Sequence, residues 1–193
     1  MADYFSKVKQ FVDDEFKKAG RPDHLEHLAR TVHWIKELEP DAGEALKIAG
    51  YAHDMEHAER WQKEQKDDDR DRSEEKDFTD SKRLEIHQER SAEIITGFLE
   101  GEDAPEELIK KVRELVRKHE EGGSGEQDLL KDADSLSFFE CNVESFLDAT
   151  GRLFRKQDVR EKFDWMFERI SNEDAREIAE PWYQNAVEKL EEL

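Results

Sequence analysis

Apolar residues recur three and four positions apart along nearly the whole chain, and only four prolines interrupt them. That period places every apolar residue of a segment on one side of a helix, whereas a strand would need alternation. The expectation is an all-α fold. Phe5, Val8, Phe11, Val12 and Phe16 form a first stripe, which stops at Gly20 and Pro22. Asp23 stands where a helix cap is needed before Leu25, Leu28, Val32, Ile35 and Leu38, a stripe that ends near Pro40. Asp41 opens a helix of small residues through Ala45, Ile48, Ala49 and Ala52 to His53.

The period fails over residues 58–82, AERWQKEQKDDDRDRSEEKDFTDSK, whose dense mixed charge predicts an exposed insertion or mobile loop. Trp61 and Phe78 are its apolar residues and are expected to anchor it. Helical spacing returns with Leu84, Ile94, Ile95, Phe98 and Leu99, and again after Pro105 through Leu108, Ile109, Val112, Leu115 and Val116 up to His119. EEGGSGEQ predicts a loop, and DLLKDADSLSFFE begins another helix. Two helices, around Phe163, Phe167 and Ile170 and around Ile178, Trp182 and Leu190, are expected to finish the chain, with Pro181 kinking or interrupting the last. Phe138, Phe139, Phe146, Trp165 and Trp182 read as core.

A chain of 193 residues suffices for one domain with a real core. Charged residues reach 42%, but the 35% that are hydrophobic are grouped rather than diluted, which argues against wholesale disorder. One helical domain over residues 1–193 is expected, with a core over roughly 20–140 and C-terminal helices over 141–193 packed on it. The 51 acidic residues outnumber 31 basic ones for a net charge of −20, which disfavours a nucleic-acid polymer as partner. The single cysteine, Cys141, excludes an intramolecular disulfide, fits a reducing compartment and is expected to be an inert buried thiol. The opening MADYFSKVKQFVDDEF mixes charge with apolar residues and lacks signal-peptide character, and no run approaches the roughly 18 apolar residues of a membrane span. A cytoplasmic protein without a membrane partner is the expectation; oligomeric state is not legible.

The histidines fall in an informative pattern. His27, His53, His87 and His119 lie on four different predicted helices or at their ends, each close to the apolar stripe. Asp54 adjoins His53, and Asp134 follows Leu130 by one helical turn. Four inward imidazoles and two carboxylates would each need a separate buried partner, whereas a metal ion satisfies all of them together. Imidazole and carboxylate without thiolate select iron, manganese, cobalt, nickel or zinc rather than a cysteine-bound structural zinc.

In this order the residues resemble the HD-domain superfamily of metal-dependent phosphohydrolases, over roughly residues 20–140. HLEHLARTV at 24–32 resembles the family's opening His-x-x-Arg-Val helix, AHD at 52–54 its name-giving doublet, HQERSAEII at 87–95 the helix of the two-metal branch, and DADSL at 132–136 its closing aspartate motif. The resemblance implies that His27, His53, Asp54 and Asp134 hold one divalent metal, and that His87 and His119 join when a second binds, with Asp54 bridging. The cofactor would be one or two ions of Mn, Fe, Co, Ni, Zn or Mg. It implies a hydrolase that attacks a phosphoester of a small molecule, such as a nucleotide, with a metal-activated water.

Catalytic candidates are Asp54, His57, Arg30 and Lys131, the last two with Lys82, Arg83 and Arg90 as possible phosphate-holding cations. His24 and His57 can serve as partners of the ligands or as a proton donor to the leaving group. The sequence departs from the family after the doublet, where Glu56 and His57 stand. It lacks the Gly-Tyr-Pro triplet of the HD-GYP branch and the Glu-Asp pair of guanosine-tetraphosphate hydrolases, so neither substrate class is implied. Relatives with the same six ligands that oxidise inositol or phosphonates make a di-iron oxygenase an alternative, and a non-catalytic metal-binding regulatory module is a third reading.

Overall fold

The structure, a computed structural model, describes residues 3–64, 78–123 and 125–193. The described residues form helices α1 (Tyr4–Lys18), α2 (His24–Leu38), α3 (Glu44–Ala52), α4 (Met55–Glu64), α5 (Ser81–Gly101), α6 (Glu106–Val116), α7 (Gly125–Cys141), α8 (Val143–Ala149), α9 (Lys156–Glu168) and α10 (Glu173–Glu192). No strand occurs among them, so the fold is all-α. None of these helices is long and apolar enough to cross a membrane.

The stripes read from the sequence are the buried faces. Val8, Val12 and Phe16 of α1, Leu28, Val32 and Ile35 of α2, and Leu46, Ile48 and Ala49 of α3 meet Ile95, Leu99, Val112, Leu115 and Val116 in one core. A second core gathers Leu136, Phe138 and Phe139 of α7 with Leu147, Val159, Phe163, Met166, Ala179 and Leu190 from the last three helices. Trp34 packs against both. α7 runs through the two, and every residue from Leu130 to Phe139 is buried. A helix enclosed on all sides must satisfy its polar side chains internally, and that demand shapes the site.

Several boundaries differ from the sequence reading. Residues 58–64, assigned there to the polar insertion, belong to α4, because Ala58 is buried and Trp61 packs on the first core. Ser81 and Lys82 open α5, capped by Asp80, which accepts from the Arg83 amide at 2.7 Å. The stretch between, residues 65–77, lies outside the described residues. Phe78 is anchored as expected, its ring against Phe146 and Phe154. Asp23 occupies the cap position of α2 but makes no capping bond and pairs with Arg21 instead. Gly125, Glu126 and Gln127 belong to α7 rather than to a loop, α8 was not foreseen, and α10 continues through Pro181.

Candidate metal centre

His27 sits on the buried face of α2, and His53 caps α3 where that helix crosses it closely. A Cβ added at Gly50 would lie 2.5 Å from Ile35 Cδ1, so glycine permits an approach that puts the His27 and His53 rings 5.4 Å apart. Both point at Asp134 of α7, with Nε2 to Oδ1 distances of 3.1 and 3.3 Å. Asp54, between α3 and α4, divides its two oxygens. Oδ2 lies 2.7, 3.6 and 3.8 Å from Nε2 of His24, His53 and His27. Oδ1 faces the other way, 3.1 and 3.8 Å from Nε2 of His87 and His57. His119, following α6, completes the ring of imidazoles, 5.0 Å from His53 and 5.1 Å from His87 between ring centres.

The outward nitrogens of the four histidines share one feature. His53 Nδ1 is 3.0 Å from the Gly50 carbonyl and His119 Nδ1 is 2.7 Å from the Val116 carbonyl. A carbonyl only accepts, so each Nδ1 carries the hydrogen; both acceptors are carbonyls of a helix's last turn, and that of Val116 also accepts from the His119 amide at 3.4 Å. Ser137 Oγ donates its one hydrogen to the His27 carbonyl at 2.7 Å and therefore accepts from His27 Nδ1 at 2.9 Å. Glu56 Oε2 accepts from His87 Nδ1 at 3.1 Å. In the neutral form that a metal requires, each ring is therefore left with Nε2 as a lone pair aimed into the cluster. Those of His53 and His119 are buried with no hydrogen-bond partner. A buried lone pair without a donor, on a ring held from behind by an acceptor, is how a metal-ligating histidine is presented. The donor set fits a divalent ion, and four groups drawn from these residues bring ligand atoms within 4.8 Å of one another: His24, His27 and Asp54; His27, His53 and Asp134; Asp54, His57 and His87; His87, His119 and Glu120.

The electrostatics agree. Burial opposes the charge on Asp54, yet the neighbouring imidazoles hold its carboxyl well below the usual range. Burial likewise opposes Asp134, and Arg169 with His53 holds it well below as well. Against their own burial, His53 is pushed up to about 9 by Asp54 and Asp134, and His87 to about 9 by hydrogen bonds to Asp54 and Glu56. These carboxylates thus demand positive charge at the inward nitrogens, which a proton or a metal ion can supply. Burial dominates at His57 and His119, which fall to about 3 and about 4.

A family model described as a domain of unknown function, DUF4202, matches residues 8–190. The chain belongs to the DUF4202 family. No curated protein and no solved structure matches it. The match takes in α9 and α10 as well as the histidine-bearing helices of this DUF4202 member.

The C-terminal part supplies what the sequence reading missed. Arg169, just after α9, donates to Asp134, to Glu120 and, at 2.8 Å, to Ser135. Glu120 follows His119 in a turn that needs glycine, since Gly122 and Gly123 have φ of 73° and 138° and Gly123 N donates to Asp128 at 3.0 Å. Gln88 accepts from the Glu120 amide at 3.0 Å and Ser91 from the Glu56 amide at 3.1 Å, so the segment after His87 orients both neighbouring turns. Lys162 of α9 is the other cation whose charge is felt at Glu120 and Asp134.

Arg30 and Lys131 are not brought to the cluster. Arg30 Nε pairs with Glu140 at 2.7 Å, and Lys131 Nζ lies 2.7 Å from Asp132 and 3.1 Å from Ser171 Oγ. Each stands one helical turn from an inward residue, His27 or Asp134, but its charge is taken up by these partners instead. Arg90 pairs with Glu59 and Glu93. Of the two aspartates in DADSL only Asp134 joins the cluster. Asp132 accepts from the Ser171 and Asn172 amides at 3.0 and 2.8 Å and fastens the turn between α9 and α10. Cys141 is half-buried rather than buried, and its thiol is pushed up to about 11 by burial and Glu140, in keeping with an inert thiol.

Proposed function

We propose that the chain is a metal-dependent phosphohydrolase of the HD type, acting on a phosphoester of a small molecule. The observation that carries this reading is the set of four histidines with Nδ1 engaged by acceptors and Nε2 turned inward, around an Asp54 whose two oxygens face separate groups. His27, His53, Asp54 and Asp134 would hold one ion; His87, His119 and Asp54, with Glu120 beside them, would hold a second. Bound there, divalent ions supply a water acidified to near neutrality and neutralise phosphate oxygens.

The chain's own residues divide the remaining work. Ser137, Gly50, Val116 and Glu56 orient the ligand rings, and Arg169 balances Asp134 and Glu120. His57 differs from the four ligand histidines. Its Nδ1 lies 2.9 Å from the donor Arg60 and 3.0 Å from the acceptor Glu56, so neither tautomer is enforced. Its side chain keeps 28% exposure against 8% for His87. A half-open, neutral imidazole with one lone pair, free to carry its hydrogen on either nitrogen, suits taking a proton from an incoming water rather than giving one to a departing oxygen.

The test pairs metal analysis with a screen of small phosphoesters, on wild type and Asp54→Ala. Wild type is expected to hold one or two divalent ions and to hydrolyse at least one phosphoester class, and Asp54→Ala to lose both properties. Unchanged metal content and hydrolysis in the variant would sink the reading. An iron-rich, coloured protein that consumes oxygen and cleaves no phosphoester would overturn it in favour of a di-iron oxygenase.

A further inference from the structure

An anionic substrate meets a difficulty at this site. The chain carries a net charge of −20, and Asp54, Glu56, Glu120 and Asp134 all stand at the cluster. Holding a phosphoryl group beside them requires local positive charge beyond that of the ions. Most nearby cations are already engaged. Arg60 sets Nη2 2.9 Å from His57 Nδ1 and Nε 3.5 Å from Glu56, close enough for an ion pair but not a hydrogen bond, and Arg169 uses Nε, Nη1 and Nη2 on Ser135, Glu120 and Asp134.

Lys162 is placed differently. It shares one face of α9 with Trp165 and Arg169, three and seven residues along. Its Nζ lies 4.5 Å from the Trp165 ring centre and 5.6 Å from that of Phe138, and the Arg169 guanidinium also sits 4.5 Å from the Trp165 ring. Among the described residues no carboxylate comes within the 4.0 Å of an ion pair with it. The Arg169 guanidinium on that same ring pairs with Glu120 and Asp134, which sets the Lys162 ammonium beside the cation that meets the cluster. Burial pulls the Lys162 pKa below the ordinary lysine value, as expected for an ammonium that has left water without gaining a paired anion. An ammonium resting on aromatic rings keeps its three hydrogens available, whereas one paired to a carboxylate does not.

We propose that Lys162 is the anion-binding residue of this site: its ammonium, carried on the Trp165 ring beside Arg169, takes the phosphoryl oxygens of the substrate at the α9 edge of the cluster. That the anion is a phosphoester rests on the hydrolase reading; the placement of the cation does not.

The two can be separated with inorganic phosphate as probe. Phosphate is titrated calorimetrically into manganese-loaded wild type, Lys162→Met and Lys162→Arg, with metal content measured on each. The expectation is phosphate affinity about 10-fold or more weaker in Lys162→Met, the scale of one lost charge-assisted hydrogen bond. Metal content stays unchanged, and binding is largely kept in Lys162→Arg. Lys162→Gln takes the place of the methionine variant should that variant not fold. Equal phosphate affinity in wild type and Lys162→Met, absence of phosphate binding to wild type, or joint loss of metal and phosphate in the neutral variants would each overturn the proposal. Phosphate held through Lys162 by a protein that cleaves no phosphoester would uphold it and refute the hydrolase reading. Cleavage with a KM indifferent to Lys162→Met would do the reverse.

Discussion

Replacing Ser137 with alanine removes a single oxygen, and the surrounding contacts set the size of its effect. The hydroxyl is fully buried on α7, 2.7 Å from the His27 carbonyl and 2.9 Å from His27 Nδ1. The carbonyl is not stranded by the change, because Thr31 Oγ1 also donates to it at 3.0 Å. The Nδ1 hydrogen is stranded. A buried donor without a partner costs about 1–3 kcal/mol, and the retained Thr31 bond places the total in the lower half, about 1–2 kcal/mol. In a chain of this length that corresponds to a fall in Tm of about 2–8 °C.

The larger effect should fall on the metal. Once its rear anchor is gone, the His27 ring is no longer held with Nε2 toward Asp134, and loss of such a supporting hydrogen bond weakens metal affinity by about 10–100-fold. Denaturant unfolding of the metal-free protein reads the first quantity and calorimetric titration with manganese the second. A variant that loses stability but binds manganese within about 2-fold of wild type would refute the claim that the Nδ1 acceptors set ligand orientation.

Two further outcomes follow from the charges. Arg169→Met leaves Asp134 and Glu120 buried without their counter-ion, so the metal-free protein should lose about 3–5 kcal/mol. Part of this should return when a divalent ion is added; equal losses with and without metal, read by denaturant unfolding, would refute this. His53 and His87, raised from the ordinary 6.5 to about 9, favour the metal-free fold below about 6.5, and that contribution is lost as pH rises through about 9. At pH 8 both rings therefore hold protons that ligation must expel. Titrations in two buffers of different ionisation enthalpy should show proton release, with affinity rising from pH 6.5 toward 9; binding without proton release at pH 8 would contradict it.

Much of the fold was legible because helical amphipathicity is a local property. The stripes through Val8 and Phe16, Leu28 and Ile35, and Val112 and Val116 could be read without knowing what they would pack against. The same holds for His27, His53, His87, His119, Asp54 and Asp134, since a polar residue beside an apolar stripe already announces an inward direction. Where apolar residues are few the signal fails. Ala58 and Trp61 were too sparse to extend α4 through residue 64.

What only the tertiary structure decided are pairings between distant segments. Arg169 and Lys162 look like ordinary solvated charges on an amphipathic helix, and Glu120 stands in a run of charge before two glycines. They become part of the site because α7, enclosed by both cores, carries Asp134 and Ser135 to the place where α9 ends and the turn after α6 passes. The resemblance already names Asp134 as the ligand, but the destination of Asp132 has the same tertiary origin. Two residues apart on a helix, they face nearly opposite ways, and the packing around α7 sends one to the histidines and the other to the turn before α10. The sequence alone determined which residue types were available and which helix faces had to be buried. Which carboxylate meets which cation was decided by the packing, because opposite charges far apart in the chain have no periodicity to reveal them.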